Sequence, residues 1–296
     1  MLLNDSANNQ QNVNELSLMA PVESQCVPWL AVFIVECLAI VTFNFLIIVV
    51  FVKKRQLQRR STYLIFHLLV VQLLLGAVAG PGWIVEDMSL YCYQRDYQPR
   101  ALYWFFKTSS EFTIVPCLNL FFISLERAHA TFRPFRHRFV KKWIYAVIIV
   151  VIWLVYGGML VAKVIAFTND DNSRFAWSTS RFFPLCILCI SYVSIFIKLR
   201  CSRRPQHYGA VGVRERKLTQ TLFLITLTSI FTCLPIIIYS HLSSFGIHVN
   251  ISQQPHFHVY MALLVIYLAG SLTHPILYAL RSPGVRAGVS QLFRRK

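Results

Sequence analysis

The chain has 296 residues, of which 56% are hydrophobic and 14% charged, and its mean hydropathy is +0.53. An ordinary water-soluble domain has no interior large enough for that much apolar surface, so the composition points to membrane spans of about 20 residues each. The net charge of +17 is not a nucleic-acid face, because 23 of the 29 Lys and Arg residues fall in four short blocks, 53–60, 127–142, 198–217 and 281–296, separated by apolar runs.

In chain order, residues 1–27 are polar, carry no Lys or Arg and lack an apolar h-region, so they read as an extracellular tail without a cleavable signal. Seven apolar runs follow at about 28–52, 62–85, 101–126, 143–167, 181–199, 216–242 and 257–280. The third helix is expected to continue to about Thr131 and stop before Pro134. After the seventh run, Ser282 and Pro283 are a cap and a first-turn proline, and Val285, Val289, Leu292 and Phe293 share one face of a basic helix. That pattern suits a helix lying in the membrane interface. The fold class is therefore an all-α membrane protein, a seven-transmembrane helix bundle (28–280) plus a short amphipathic eighth helix within residues 281–296.

The basic blocks alternate with the spans, which places them in the cytoplasm together with the C-terminus, and the N-terminus outside. Their charge also suits anionic lipid head groups. Two glycosylation sequons begin at Asn4 and Asn250, both on the side assigned to the exterior. No cofactor or metal motif is present. The absence of His-Glu-x-x-His, Gly-x-Ser-x-Gly and a phosphate loop gives an enzyme reading no support.

The motifs name a family. Glu126-Arg127-Ala128 closes span three, Cys233-Leu234-Pro235 lies in span six, and His274-Pro275-Ile276-Leu277-Tyr278 closes span seven. With Asn44, Trp153, Pro184 and Tyr192 at matching positions, the chain resembles the rhodopsin-like (class A) G-protein-coupled receptors over about residues 28–293. The family's pattern normally has Tyr at 128, Trp at 233 and Asn at 274. The resemblance implies a receptor that passes binding of an extracellular ligand to a heterotrimeric G protein by outward movement of span six. Arg127 would pair with Glu126 and Glu215 in the resting state, tying spans three and six. The plainer alternative is that Glu215 pairs only with Arg214 or Arg216. Tyr192 and Tyr278 resemble the tyrosines that hold the open form. Pro235 and Pro275 remove backbone donors within spans six and seven, which serves either as a pivot or as a fixed bend.

Departures from the pattern carry their own expectations. Gln72 stands where the family has an Asp that binds sodium, so no sodium modulation is expected. Leu102 replaces the usual Cys at the top of span three, and residues 168–180 contain no Cys. Cys26 and Cys92 remain on the oxidising side and are candidates for a different bridge. Ser109 aligns with the Asp of amine receptors, and span seven has no Lys, so neither a simple amine nor retinal is expected. By alignment Phe105, Ser109, Thr113, Tyr239, His241, Tyr260 and Tyr267 face the outer cavity. His241, His248, His256 and His258 gather at the outer ends of spans six and seven; they suit zinc binding or proton sensing, and the plainer reading is ordinary surface histidines. Lys107 and Glu111, four apart, suit an intrahelical pair. The rival readings are a seven-helix transporter, with Glu36, Gln72 and Glu111 as midplane groups, and a receptor-like scaffold without signalling. The resemblance is weakly closer to the melanocortin, cannabinoid and adenosine group than to others, and it names no ligand.

Overall fold

Inside a bilayer the backbone has no water to bond to, and every described element is a helix. The computed structural model describes residues 2–54, 62–88, 110–137, 139–166, 190, 193–194, 197, 210–244 and 253–294. Helix α1 spans Leu2–Lys53. Span two is α2 (Tyr63–Leu74), a wide π-turn (Leu75–Ala79) and α3 (Gly80–Met88). Span three enters through a 3-10 turn (Ser110–Thr113) and becomes α4 (Ile114–Phe132), followed by the short α5 (Pro134–His137). Spans four, six and seven are α6 (Lys142–Ala166), α7 (Ala210–Ser244) and α8 (Gln253–Arg281), and α9 (Pro283–Arg294) is the eighth helix. Nearly all of span five, with Tyr192 in it, lies outside the described residues.

Among the described residues, Cys26–Lys53, Tyr63–Val85, Lys142–Ala162 and Phe257–Arg281 are long and apolar enough to cross a membrane. Phe223–Tyr239 is a shorter apolar piece of α7. The sequence places the start of the first helix at residue 28, whereas α1 runs back to Leu2. Adding residues to an established helix costs far less than nucleating one. No Gly interrupts residues 2–53, and α1 persists through Pro21 and Pro28, each of which removes one donor.

Proline sets the other boundaries. Arg133, which precedes Pro134, leaves the helical region with φ −133° and ψ 63°, and α4 stops there. Ser282 separates α8 from α9, and Pro283 opens α9, where a missing donor costs nothing. Pro81 explains the π-turn: its ring crowds the carbonyl four residues back, at Ala77, and a wider turn relieves the clash. The Gly80 amide accordingly bonds to the Leu75 carbonyl, five residues back.

Spans one and two approach closely at two glycines. A Cβ on Gly76 would lie 2.7 Å from Ile40 Cγ2 and 3.1 Å from the Cys37 carbonyl, and one on Gly80 would meet Cys37 Sγ. Behind that contact are two apolar clusters. The outer one holds Phe33, Trp83, Phe112, Met261 and Tyr267, and the inner one holds Ile47, Leu68, Ile123, Ile225 and Tyr278. Span four presents Trp143, Val147, Val150, Leu154 and Val161 outward, an apolar face suited to lipid.

Span four is fixed by its indole. Trp153 Nε1 donates to His67 Nε2 at 3.0 Å, and the two rings meet edge to face. Trp153→Phe removes that donor and keeps most of the packing. It is expected to cost about 1 kcal/mol, measured as a lower unfolding temperature of detergent-purified protein.

Candidate switch and ligand site

At the C-terminal end of span three, α4 carries Glu126 and Arg127 side by side. Arg127 is 1% exposed and grips Glu126 with two parallel bonds, Nε to Oε2 and a terminal guanidinium nitrogen to Oε1, each 2.5 Å. A planar guanidinium and a carboxylate make this two-point contact better than any other ionic pair. Glu126 has a second partner that the sequence did not reveal. His137, from α5, lies with Nε2 2.9 Å from Oε1, and its ring lies 5.8 Å from that of His129. The turn forced by Pro134 folds α5 back onto span three, so one carboxylate holds both the buried Arg and the connecting loop.

Glu215 lies in α7, with its side chain outside the described residues, as is that of His241. Tyr278 is buried in the inner cluster beside span two. Pro235 and Pro275 lie within continuous helices.

Halfway through the membrane, the altered family positions meet one another. Gln72 Nε2 lies 3.0 Å from His274 Nδ1, and His274 Nε2 lies 2.7 Å from Ser229 Oγ. The Cys233 thiol, at the position aligned with the family's Trp, lies beside that of Cys117 on span three. Both are free cysteines in the outer cluster. One turn inward of the Gly76–Ile40 contact, Asn44 donates to the Ile40 carbonyl at 2.9 Å.

At the opposite end of the bundle, Tyr239 of span six and Tyr260 of span seven come together, with ring centres 6.2 Å apart. Tyr267 is buried against Trp83, 5.7 Å away, a contact the sequence did not indicate. Thr113 is half-buried in the 3-10 turn. Trp29 Nε1 donates to His258 Nδ1 at 2.9 Å, so this histidine is part of the join between spans one and seven. Phe105, Ser109, Asn250 and Cys92 lie outside the described residues, and Asn4 is within α1 with its side chain undescribed. Cys26 is buried and disulfide-bonded. Glu36 and Glu111 are buried at 8% and 4% exposure. Among the described residues no group of three or more His, Cys, Asp or Glu side chains is arranged to hold a metal ion.

Comparison with known proteins agrees with this architecture. Residues 43–278 match the model of the 7 transmembrane receptor (rhodopsin family). The histamine H2 receptors of Homo sapiens and Pongo pygmaeus are each 25% identical over 268 residues, covering 81% of this chain and 72% of theirs. The substance-K receptor of Homo sapiens is 24% identical over 327 residues, covering 98% of this chain and 79% of its own. With four-fifths of its length inside the family pattern and a buried Arg127–Glu126 pair ending span three, the chain belongs to the rhodopsin family of seven-transmembrane receptors.

Proposed function

We propose that this receptor sits in the plasma membrane with its N-terminus outside and turns binding of an extracellular ligand into activation of a heterotrimeric G protein. The observation that carries this reading is Arg127, almost fully buried at the cytoplasmic end of span three and held by an acid. An arginine so placed is costly, by roughly 2.5–3.5 kcal/mol on insertion scales, and is found where function requires it. In the resting state Arg127 holds Glu126 and reaches towards Glu215 on span six. Outward movement of span six opens the cytoplasmic end to a segment of the G protein, and Tyr192 and Tyr278 support the open form.

The ligand enters between Thr113, Tyr239, Tyr260 and Tyr267, with Phe105, Ser109 and His241 completing the wall. The two relatives are named for different ligands, histamine and substance K, so neither name transfers. Ser109 offers no carboxylate to an amine, which argues against a simple amine here. Cys26 bridges to Cys92, and Asn4 and Asn250 carry glycans. An agonist acts by binding the open state more tightly than the closed one, and only by that difference.

The test is basal G-protein activation across a panel of G-protein classes at matched surface expression. Glu215→Ala is expected to raise basal output at least twofold, and Arg127→Ala to reduce the output. Silence from wild type and both variants would support a seven-helix protein that does not signal.

A further inference from the structure

Three polar side chains from three spans form a directional chain in the membrane core. The amide nitrogen of Gln72 is only a donor, so His274 Nδ1, 3.0 Å away, is the acceptor. The imidazole proton therefore sits on Nε2, which donates to Ser229 Oγ at 2.7 Å. The Ser229 hydroxyl in turn donates to the Ile225 carbonyl at 2.8 Å. Each donor finds one acceptor, and all three side chains are at most 5% exposed.

The ring of His274 suits this task because its two nitrogens point in different directions, one to span two and the other to span six. An Asn amide, the family's usual group there, presents both polar atoms at one end of a shorter side chain. Spans six and seven are joined again one residue away, where Thr228 Oγ1 lies 3.3 Å from Thr273 Oγ1. They also touch where Thr232 packs on Gly270, with no room for a Cβ. Span six is thus fastened along one side to span seven, and through His274 to span two.

We propose that His274 is a positioning residue of the switch, a latch that holds span six closed through Ser229 and anchors itself on Gln72. The proposal rests on the reading of span six as the moving element. Outward movement of span six separates Ser229 from His274 Nε2, while the Gln72 arm stays with the static part of the bundle. The resting state therefore has two fastenings on span six, the one at Arg127 at the cytoplasmic end and this one at mid-membrane. It follows that either can be loosened without the other.

The experiment compares wild type, Ser229→Ala, Ser229→Thr, His274→Phe and the double variant Ser229→Ala/His274→Phe. Two readouts are taken on the full-length receptor: basal G-protein activation in cells, and backbone hydrogen exchange of residues 225–235 in lipid nanodiscs. Ser229→Ala is expected to speed exchange in span six severalfold and raise basal output at least twofold. Ser229→Thr, which keeps the hydroxyl, stays near wild type. The double variant goes no further than His274→Phe alone, because that change already breaks the bond that Ser229→Ala removes. Unchanged exchange in Ser229→Ala, a small substitution that leaves the fold intact, would overturn the latch. So would effects that add in the double variant. Faster exchange with no G-protein output from any variant would leave the latch standing and sink the coupling reading instead.

Discussion

Glu126→Ala is expected to give a receptor that is both less stable and more active at rest. The change takes away the two-point grip on Arg127 and the acceptor for His137 in one step. Removing one partner of a buried ion pair costs about 3–5 kcal/mol, because the remaining charge keeps its desolvation penalty without its main compensation. Here the arginine is 1% exposed, so little water reaches it without movement of the helices. The cheapest relief is for its guanidinium to turn towards solvent, and that requires the packed end of the bundle to loosen. Loss of the His137 contact frees α5 as well, so the connection between spans three and four loses its anchor. The check is paired: unfolding temperature in detergent, and basal G-protein activation at matched surface expression. A variant that unfolds at the wild-type temperature would show that the pair contributes little to the closed state. His137→Phe separates the two partners of Glu126. It is expected to give a smaller loss, about 1–2 kcal/mol, with Arg127 still held.

The second large effect is steric. Gly76→Leu is expected to abolish surface expression almost completely. Gly76 is buried, a Cβ alone there would come within 2.7 Å of Ile40 Cγ2 and 3.1 Å of the Cys37 carbonyl, and leucine adds the rest of a bulky side chain to that contact. Ile40 is β-branched and stiff, and the carbonyl belongs to a helix backbone, so neither yields cheaply. Overpacking of this kind costs typically 1–3 kcal/mol and sometimes more. Packing is also the main force that joins helices in lipid, where burial of apolar surface gives no extra drive. Gly76→Ala isolates the first contact. Its loss of thermal stability should be partly restored in Gly76→Ala/Ile40→Ala, which takes away the crowding methyl groups. If the double variant is no better than Gly76→Ala, the Cys37 carbonyl is the controlling contact.

Much of this architecture was legible in the sequence, for reasons that differ by element. Spans two, four and seven are long apolar runs, and the helical stretches found there, Tyr63–Met88, Lys142–Ala166 and Gln253–Arg281, differ from the expected ranges by a few residues at most. Pro134 and Pro283 act through local sterics, so the end of α4 and the start of α9 followed from neighbouring residues alone. The Arg127–Glu126 pair is local too, one residue apart. What stayed hidden depends on contacts between distant parts of the chain. Gln72 and His274 are 202 positions apart, and only the family resemblance, not periodicity, makes them neighbours; the bond between them was not legible. The same holds for His137 with Glu126 and for Trp29 with His258, which turned an apparent surface histidine into a helix join. The length of α1 was missed for another reason: its first turns are polar, and a hydropathy reading assigns such residues to a tail.

The wide turn in span two has a consequence for how this receptor is compared with its relatives. A helix that completes a turn with one residue more than usual contains, in effect, an insertion without a loop. Everything beyond it is rotated by roughly 100°, the angle one residue occupies in a regular helix. Counting from Gln72 outward therefore names the inward-facing residues correctly only as far as Leu75. Above that point the outer end keeps its own register, and in that register Trp83 is the residue that meets Tyr267. Pro81 thus helps to choose which side chain of span two meets span seven. Closing the turn as an ordinary α-turn with no residue removed, as replacement of Pro81 would allow, would not shorten this end of span two so much as present a different face of it.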